Sequence, residues 1–173
     1  MNTKIRKLIC HLFIFFTTFP LFGQNAMNTY KTGEEAIASA CVSAANINRN
    51  VLLKFSADWC PWCVDMKKIF QEKKLAETLS NFELVELDVG KRIMENGKKR
   101  YERYFDLMQK YSSKAFIPQL VVLDSKGNVL ANLNPDDYEN EKEKGNDSGK
   151  LTKILEKYVM PQAKAIGGMK NDG

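Results

Sequence analysis

The stretch KFSADWCPWCVDM, Lys54 to Met66, sets Cys60 and Cys63 two residues apart just after a short apolar run. Such a pair can clip a metal, staple the chain or trade electrons. VLLKFSA, Val51 to Ala57, reads as a strand buried on both sides in a parallel sheet. A helix is expected to start near Cys60 and run to about Leu79, with Cys63, Met66, Ile69 and Phe70 facing inward. Pro61 suits its first turn, where a missing N–H costs nothing. Cys60 then lies where free backbone N–H groups and the helix dipole favour negative charge, and the thiolate is the reactive form of cysteine. Cys63 follows one turn later, within disulfide reach but tucked toward the sheet. That asymmetry suits exchange: Cys60 attacks a disulfide, a mixed disulfide forms, and Cys63 releases the product.

The first residues bear on the other two readings. Lys4, Arg6 and Lys7 precede an apolar stretch, Leu8 to Phe22, of signal-peptide length and short for a membrane span. Residues 1–23 are expected to be an export signal cut after Gly23, which directs the chain to a periplasm; the alternative is an uncleaved anchor in the inner membrane. Cleavage leaves 150 residues, the size of one domain. It also takes away three basic residues and no acidic one, so Lys+Arg 26 against Asp+Glu 21 becomes 23 against 21. So small an excess gives no electrostatic case for nucleic acid. The basic run GKKRYER, Gly97 to Arg103, reads as the solvated face of a helix.

Cleavage also removes His11, the only histidine. Without it there is no Ser–His or Cys–His catalysis and no imidazole ligand. Zinc takes about four ligands, and Cys41, Cys60 and Cys63 would be the only cysteines left, which argues against a metal site. A bridge across two intervening residues restrains the unfolded chain little, so it is a poor staple. Exchange chemistry is the favoured reading, and it calls for no cofactor.

Along the chain, Thr32 and Glu35 signal the start of a helix with Ile37, Cys41 and Ala44 or Ala45 on one face. This forms an N-terminal helical segment, residues 24–50, before a domain spanning 51–160. FELVELDV, Phe82 to Val89, is the next strand. Tyr101, Tyr104, Phe105, Met108 and Tyr111 fall at the spacing of one helix with a core-facing side. PQLVVLD and NVLANL flank Ser125–Lys126–Gly127 as a hairpin. Residues 134–150 read as a polar surface loop, 151–160 as a closing helix, and 161–173 as a tail. Strand–helix–strand followed by a hairpin gives an α/β domain with a central mixed sheet and helices on both faces. Cys41 reads as a small buried hydrophobe on its helix.

FSADWCPWC, followed by a helix, a strand, a helix and FIPQLVVLD, resembles the thioredoxin superfamily from about Val51 to Tyr158. The resemblance implies that Pro118 is a cis-proline beside the dithiol, leaving the Ile117 backbone to pair with an extended substrate segment. Trp59, Pro61, Trp62, Ile117 and Pro118 would then form the substrate-binding surface. Two positions depart from the family. Where relatives carry a buried acid, this chain has Lys54; where they carry a lysine on the neighbouring strand, it has Glu86. The pair is expected side by side beneath Cys63 with its signs exchanged, Glu86 taking the relay role, unless both reach solvent at a sheet edge. Lys68 replaces a helix-kinking proline, so a straighter helix is expected.

Within the superfamily the resemblance points to a reductase. Cys-Pro-Trp-Cys is similar to the glutaredoxin pattern, and Ile117 before Pro118 resembles reducing thioredoxins. Residues 90–113 have room for only one long helix, without the helical insertion of strong oxidants. Its partners would be disulfide-containing exported proteins and a membrane thiol-electron donor. The alternatives are a periplasmic dithiol oxidase or isomerase, and a non-catalytic docking module.

Overall fold

The computed structural model describes residues 32–112, 116–140 and 144–161. The expected signal at 1–23 and residues 162–173 of the expected tail lie outside them. Thr32 caps the first helix: its hydroxyl accepts the Glu35 N–H at 3.1 Å while the Glu35 carboxylate accepts the Thr32 N–H at 3.3 Å. Helix α1, Gly33–Asn46, buries Ala36, Ile37, Ala40, Cys41 and Ala44.

Strand β1, Asn50–Ser56, is buried along its whole length, as its apolar run requires. It pairs parallel with β2, Phe82–Asp88, and antiparallel with β5, Gln119–Leu123; β6, Val129–Asn132, lies antiparallel beyond β5. The sheet order β2-β1-β5-β6 is the mixed sheet expected. Its two faces build two cores, since side chains alternate along a strand. Val51, Leu53 and Phe55 join α1 and α4, Phe105–Tyr111. Leu52, Leu120 and Val122 join Met66 and Ile69 of α2, Pro61–Ile69, with Leu75 of α3, Lys73–Leu79, and Leu151 and Leu155 of α5, Ser148–Leu155. Helix α1 therefore contributes to the sheet's own core. A 3-10 turn at Glu156–Tyr158 ends the closing helix before Pro161.

Three expectations are corrected. The single helix from Cys60 to Leu79 is two, broken at 70–72, where Gln71 and Glu72 N–H groups reach back three residues to Lys68 and Ile69 at 3.0 Å. A continuous helix would carry Lys73 and Lys74 onto the stripe of Ile69 and Phe70; the break turns them outward and lets Leu75 reach the core. Lys68 in place of proline therefore does not give a straighter helix.

The second correction concerns residues 90–113. Tyr101 closes β4, Lys98–Tyr101, in a hairpin with β3, Arg92–Glu95, and among the described residues of this stretch only Phe105–Tyr111 is helical. Asn96 and Gly97 supply the turn, both at positive φ (51° and 72°), as a two-residue hairpin requires. GKKRYER is thus mostly strand rather than a helix face. The stripe still turns inward: Tyr101 and Met108 are buried, and Tyr104, Phe105 and Tyr111 pack against the first core.

Third, residues 134–150 are more than a surface loop. A 3-10 turn at Pro135–Asp137 leads to Tyr138, fully buried in the second core, and the short strands β7, Glu139–Asn140, and β8, Gly145–Asn146, pair with each other.

The β1–β2 register sets Lys54 opposite Glu86, and their side chains form an ion pair at 3.0 Å. Lys54 is 1% exposed and Glu86 44%, so the lysine lies in the interior and the acid at the sheet edge. The Lys54 ammonium also lies 4.9 Å from the centre of the Phe70 ring. Removing the acid strands a buried charge, whereas an apolar side chain of similar length removes the charge itself. Glu86→Ala is therefore expected to cost about 1–3 kcal/mol in urea denaturation and Lys54→Met less than that; the reverse order would show that the pair contributes little.

Candidate active site

β1 ends at Ser56, and the chain turns through 57–59 to deliver Cys60 as the N-cap of α2. Pro61 follows at the first helical position, where its missing N–H costs nothing. The Cys60 sulfur accepts the Cys63 backbone N–H at 3.3 Å and approaches the Ile117 carbonyl at 3.6 Å. The Ile117–Pro118 bond is cis. The fold thus gathers Cys60, Cys63, Ile117 and Pro118 from two distant stretches of sequence. Both cysteines are free thiols.

The tryptophans stand on either side. The Trp59 indole N–H donates to the Gly90 carbonyl at 2.7 Å, and its ring lies 6.4 Å from that of Tyr101. Trp62 lines a cavity of about 240 Å³ with Phe116, Ile117, Pro118, Pro135 and Asn146. Pro61 is exposed on the helix start beside it. Lys54 and Glu86 form their ion pair on the sheet.

Cys60 is 5% exposed and Cys63 2%, more covered than a nucleophile at an open helix mouth. The β3–β4 hairpin carries Tyr101, whose phenol burial raises and charge on either sulfur raises further, while Arg92 lowers it. Burial pushes the Cys63 thiol up to about 12, and its hydrogen bond to Cys60 adds to the shift; the Ala57 backbone and the Ser56 hydroxyl oppose it. Tyr138 faces the same thiol from the second core, its phenol raised first by burial and then by charge on Cys63. Cys63 is therefore held in its protonated form at neutral pH.

Several supporting residues escaped the sequence reading. The Asp65 carboxylate accepts the Asn146 backbone N–H at 2.6 Å and its side-chain amide at 2.7 Å, and the same amide donates to the Trp62 carbonyl at 3.1 Å. This clasp ties the helix that carries the dithiol to β8. Gly145 permits it, since a Cβ there would meet the Asp65 carboxylate at 3.0 Å. Nothing local in a polar, glycine-containing stretch identifies such a partner 81 residues away.

No curated protein matches the chain. Among solved structures, a disulphide isomerase from Xylella fastidiosa Temecula1 aligns with a TM-score of 0.58 at 22% identity, over 75% of this chain and 92% of that one. The reduced C-terminal domain of DsbD from Neisseria meningitidis aligns with a TM-score of 0.51 at 18% identity, over 72% and 92%. At these identities the likeness is one of fold. The sequence pattern of the thioredoxin-like family matches residues 32–125, from the cap of α1 to the turn after β5. With that match over more than half its length, and a mixed sheet flanked by helices on both faces, the chain belongs to the thioredoxin-like family.

Proposed function

We propose that the protein catalyses thiol–disulfide exchange through Cys60 and Cys63, acting as a disulfide reductase. The observation that carries the reading is the Cys60 sulfur at the cap of α2, met by the Cys63 N–H at 3.3 Å and the Ile117 carbonyl at 3.6 Å. Cys60 as thiolate attacks one sulfur of a client disulfide. A Cys60–client bond forms, the client S–S bond breaks, and the departing client sulfur leaves as a thiolate that takes up a proton. Cys63 then gives up its proton and attacks the Cys60 sulfur. The client leaves with two more electrons than it brought, and a Cys60–Cys63 disulfide remains.

Trp59, Pro61, Trp62, Ile117 and Pro118 hold the client segment, which lies extended beside the Ile117 backbone. The Lys54–Glu86 pair serves the second step, with Glu86 relaying the Cys63 proton. A positive n-region and a short apolar stretch at the N-terminus support export to a periplasm by a cleaved signal, or attachment to the inner membrane by an uncleaved one. Clients are then exported proteins bearing disulfides, and a membrane thiol donor returns the electrons. The slight exposure of Cys60 favours one competing reading, a docking module that uses the same groove without chemistry.

Insulin separates the two. The reductase precipitates insulin chains and loses this activity on Cys60→Ser; a docking module does neither. Equilibration with a glutathione series is expected to give a potential near about −270 mV, while one near about −120 mV makes the protein an oxidant.

The raised Cys63 thiol fixes the sign of a pH effect. Thiolate is the attacking form, so release of a thiol from a mixed disulfide on Cys60 should quicken as pH rises, about tenfold per unit between roughly 7 and 9. Glu86→Gln is expected to slow that release severalfold at pH 7 and less at pH 9, in single-turnover measurements. An unchanged rate at pH 7 would leave the ion pair a packing role only.

A further inference from the structure

The β3–β4 hairpin carries three cations to the edge of the dithiol. Between it and the Ile117 loop lies a second cavity of about 240 Å³, with Arg92, Lys99, Arg100, Tyr101, Phe105 and Ile117 among its walls and, among the described residues, no carboxylate. Arg100 is anchored: it pairs with Glu95 and with Asp106 at 3.6 Å, and lies 5.0 Å from the centre of the Phe105 ring. Its Nε is buried without a hydrogen-bond partner among the described residues. Arg92 lies 4.8 Å from the centre of the Trp59 ring. Among the described residues no carboxylate stands within ion-pairing distance of Arg92 or Lys99.

These features suit an anion of limited size held beside aromatic rings, since guanidinium groups bind carboxylates through paired N–H donors. The cavity also adjoins the chemistry. Ile117 is one of its walls and places its carbonyl 3.6 Å from the Cys60 sulfur; Tyr101, another wall, senses charge on both thiols. An extended chain advances about 3.3 Å per residue, so a side chain one or two positions from a client cysteine can reach it.

We infer that this cavity receives an aspartate or glutamate of the client polypeptide, one or two residues from the cysteine that Cys60 attacks. The inference rests on the exchange reading and adds a preference among clients: acidic flanks favour docking.

The test uses two peptides alike except for one position, each with serine replacing the client cysteine so that no exchange can occur. One carries glutamate beside the serine and the other glutamine. Each is titrated into the full chain while tryptophan emission is followed. The glutamate peptide is expected to bind about fivefold more tightly at low ionic strength, and the margin should shrink as salt rises. Arg92→Gln with Lys99→Gln should abolish the margin; because it is a ratio within each protein, general damage to the variant cancels. Equal affinities in the natural protein, no binding of the acidic peptide, or a margin that survives the double substitution would overturn the inference. Failure of the insulin assay would leave this readout unaffected, so the two readings fall separately.

Discussion

A thiol packed between a helix and a sheet parts with its proton reluctantly, and the dithiol is arranged around that constraint. Cys63 is 2% exposed, and burial is the largest cause of its raised pKa. Its partner occupies the cap position, where the Cys63 N–H is shared between the Cys60 carbonyl at 3.0 Å and the Cys60 sulfur at 3.3 Å. One backbone feature, the start of α2, thus places two chemically identical side chains in different surroundings. Pro61 supports the arrangement, because its fixed φ suits a first turn and it has no N–H to satisfy.

Polar groups meet the buried Cys63 thiol. The Ala57 backbone and the Ser56 hydroxyl favour its ionised form, and the Tyr138 phenol is raised by burial and then by charge on this thiol. The side-chain oxygen of Tyr138 is buried without a hydrogen-bond partner among the described residues. An orphaned hydroxyl of this kind costs about 1–3 kcal/mol, which the chain tolerates where the ring fills the second core. Tyr138 enters that core because the segment after β6 folds inward, and the Asp65–Asn146 clasp holds the same segment to α2.

How far the sequence reaches depends on the range of the interaction involved. The sheet could be read in it because β1 and β5 are apolar runs whose burial dictates their character, and α1 because Thr32 and Glu35 form a local box. Cys60 and Cys63 stand out by spacing alone, and Pro118 by the pattern around it. The hairpin at Arg92–Tyr101 was missed although Asn96–Gly97 announced it, because aromatic residues at helical spacing masked a two-residue turn. Tyr104 explains the error: its φ of 56° ends one element and starts the next, cutting Tyr101 away from the stripe. The Asp65–Asn146 clasp and the effect of Cys63 charge on Tyr138 are long-range, and no local pattern encodes them.

Lys54 brings these threads together. A lysine in the middle of a fully buried strand loses its hydration, a penalty of several kcal/mol for an ion. Two features offset it. Phe70 offers the face of its ring at 4.9 Å, and it is available because the helix breaks at that residue instead of continuing. Glu86 offers a carboxylate at 3.0 Å, and at 44% exposure it keeps much of its own water. Only one ion of the pair is therefore desolvated, which is the cheaper way to keep a charge inside a fold. β1 is interior and β2 is an edge, so the long lysine stem lies on the buried strand and the acid on the wet one. The interior thus carries a cation whose counter-charge remains open to solvent.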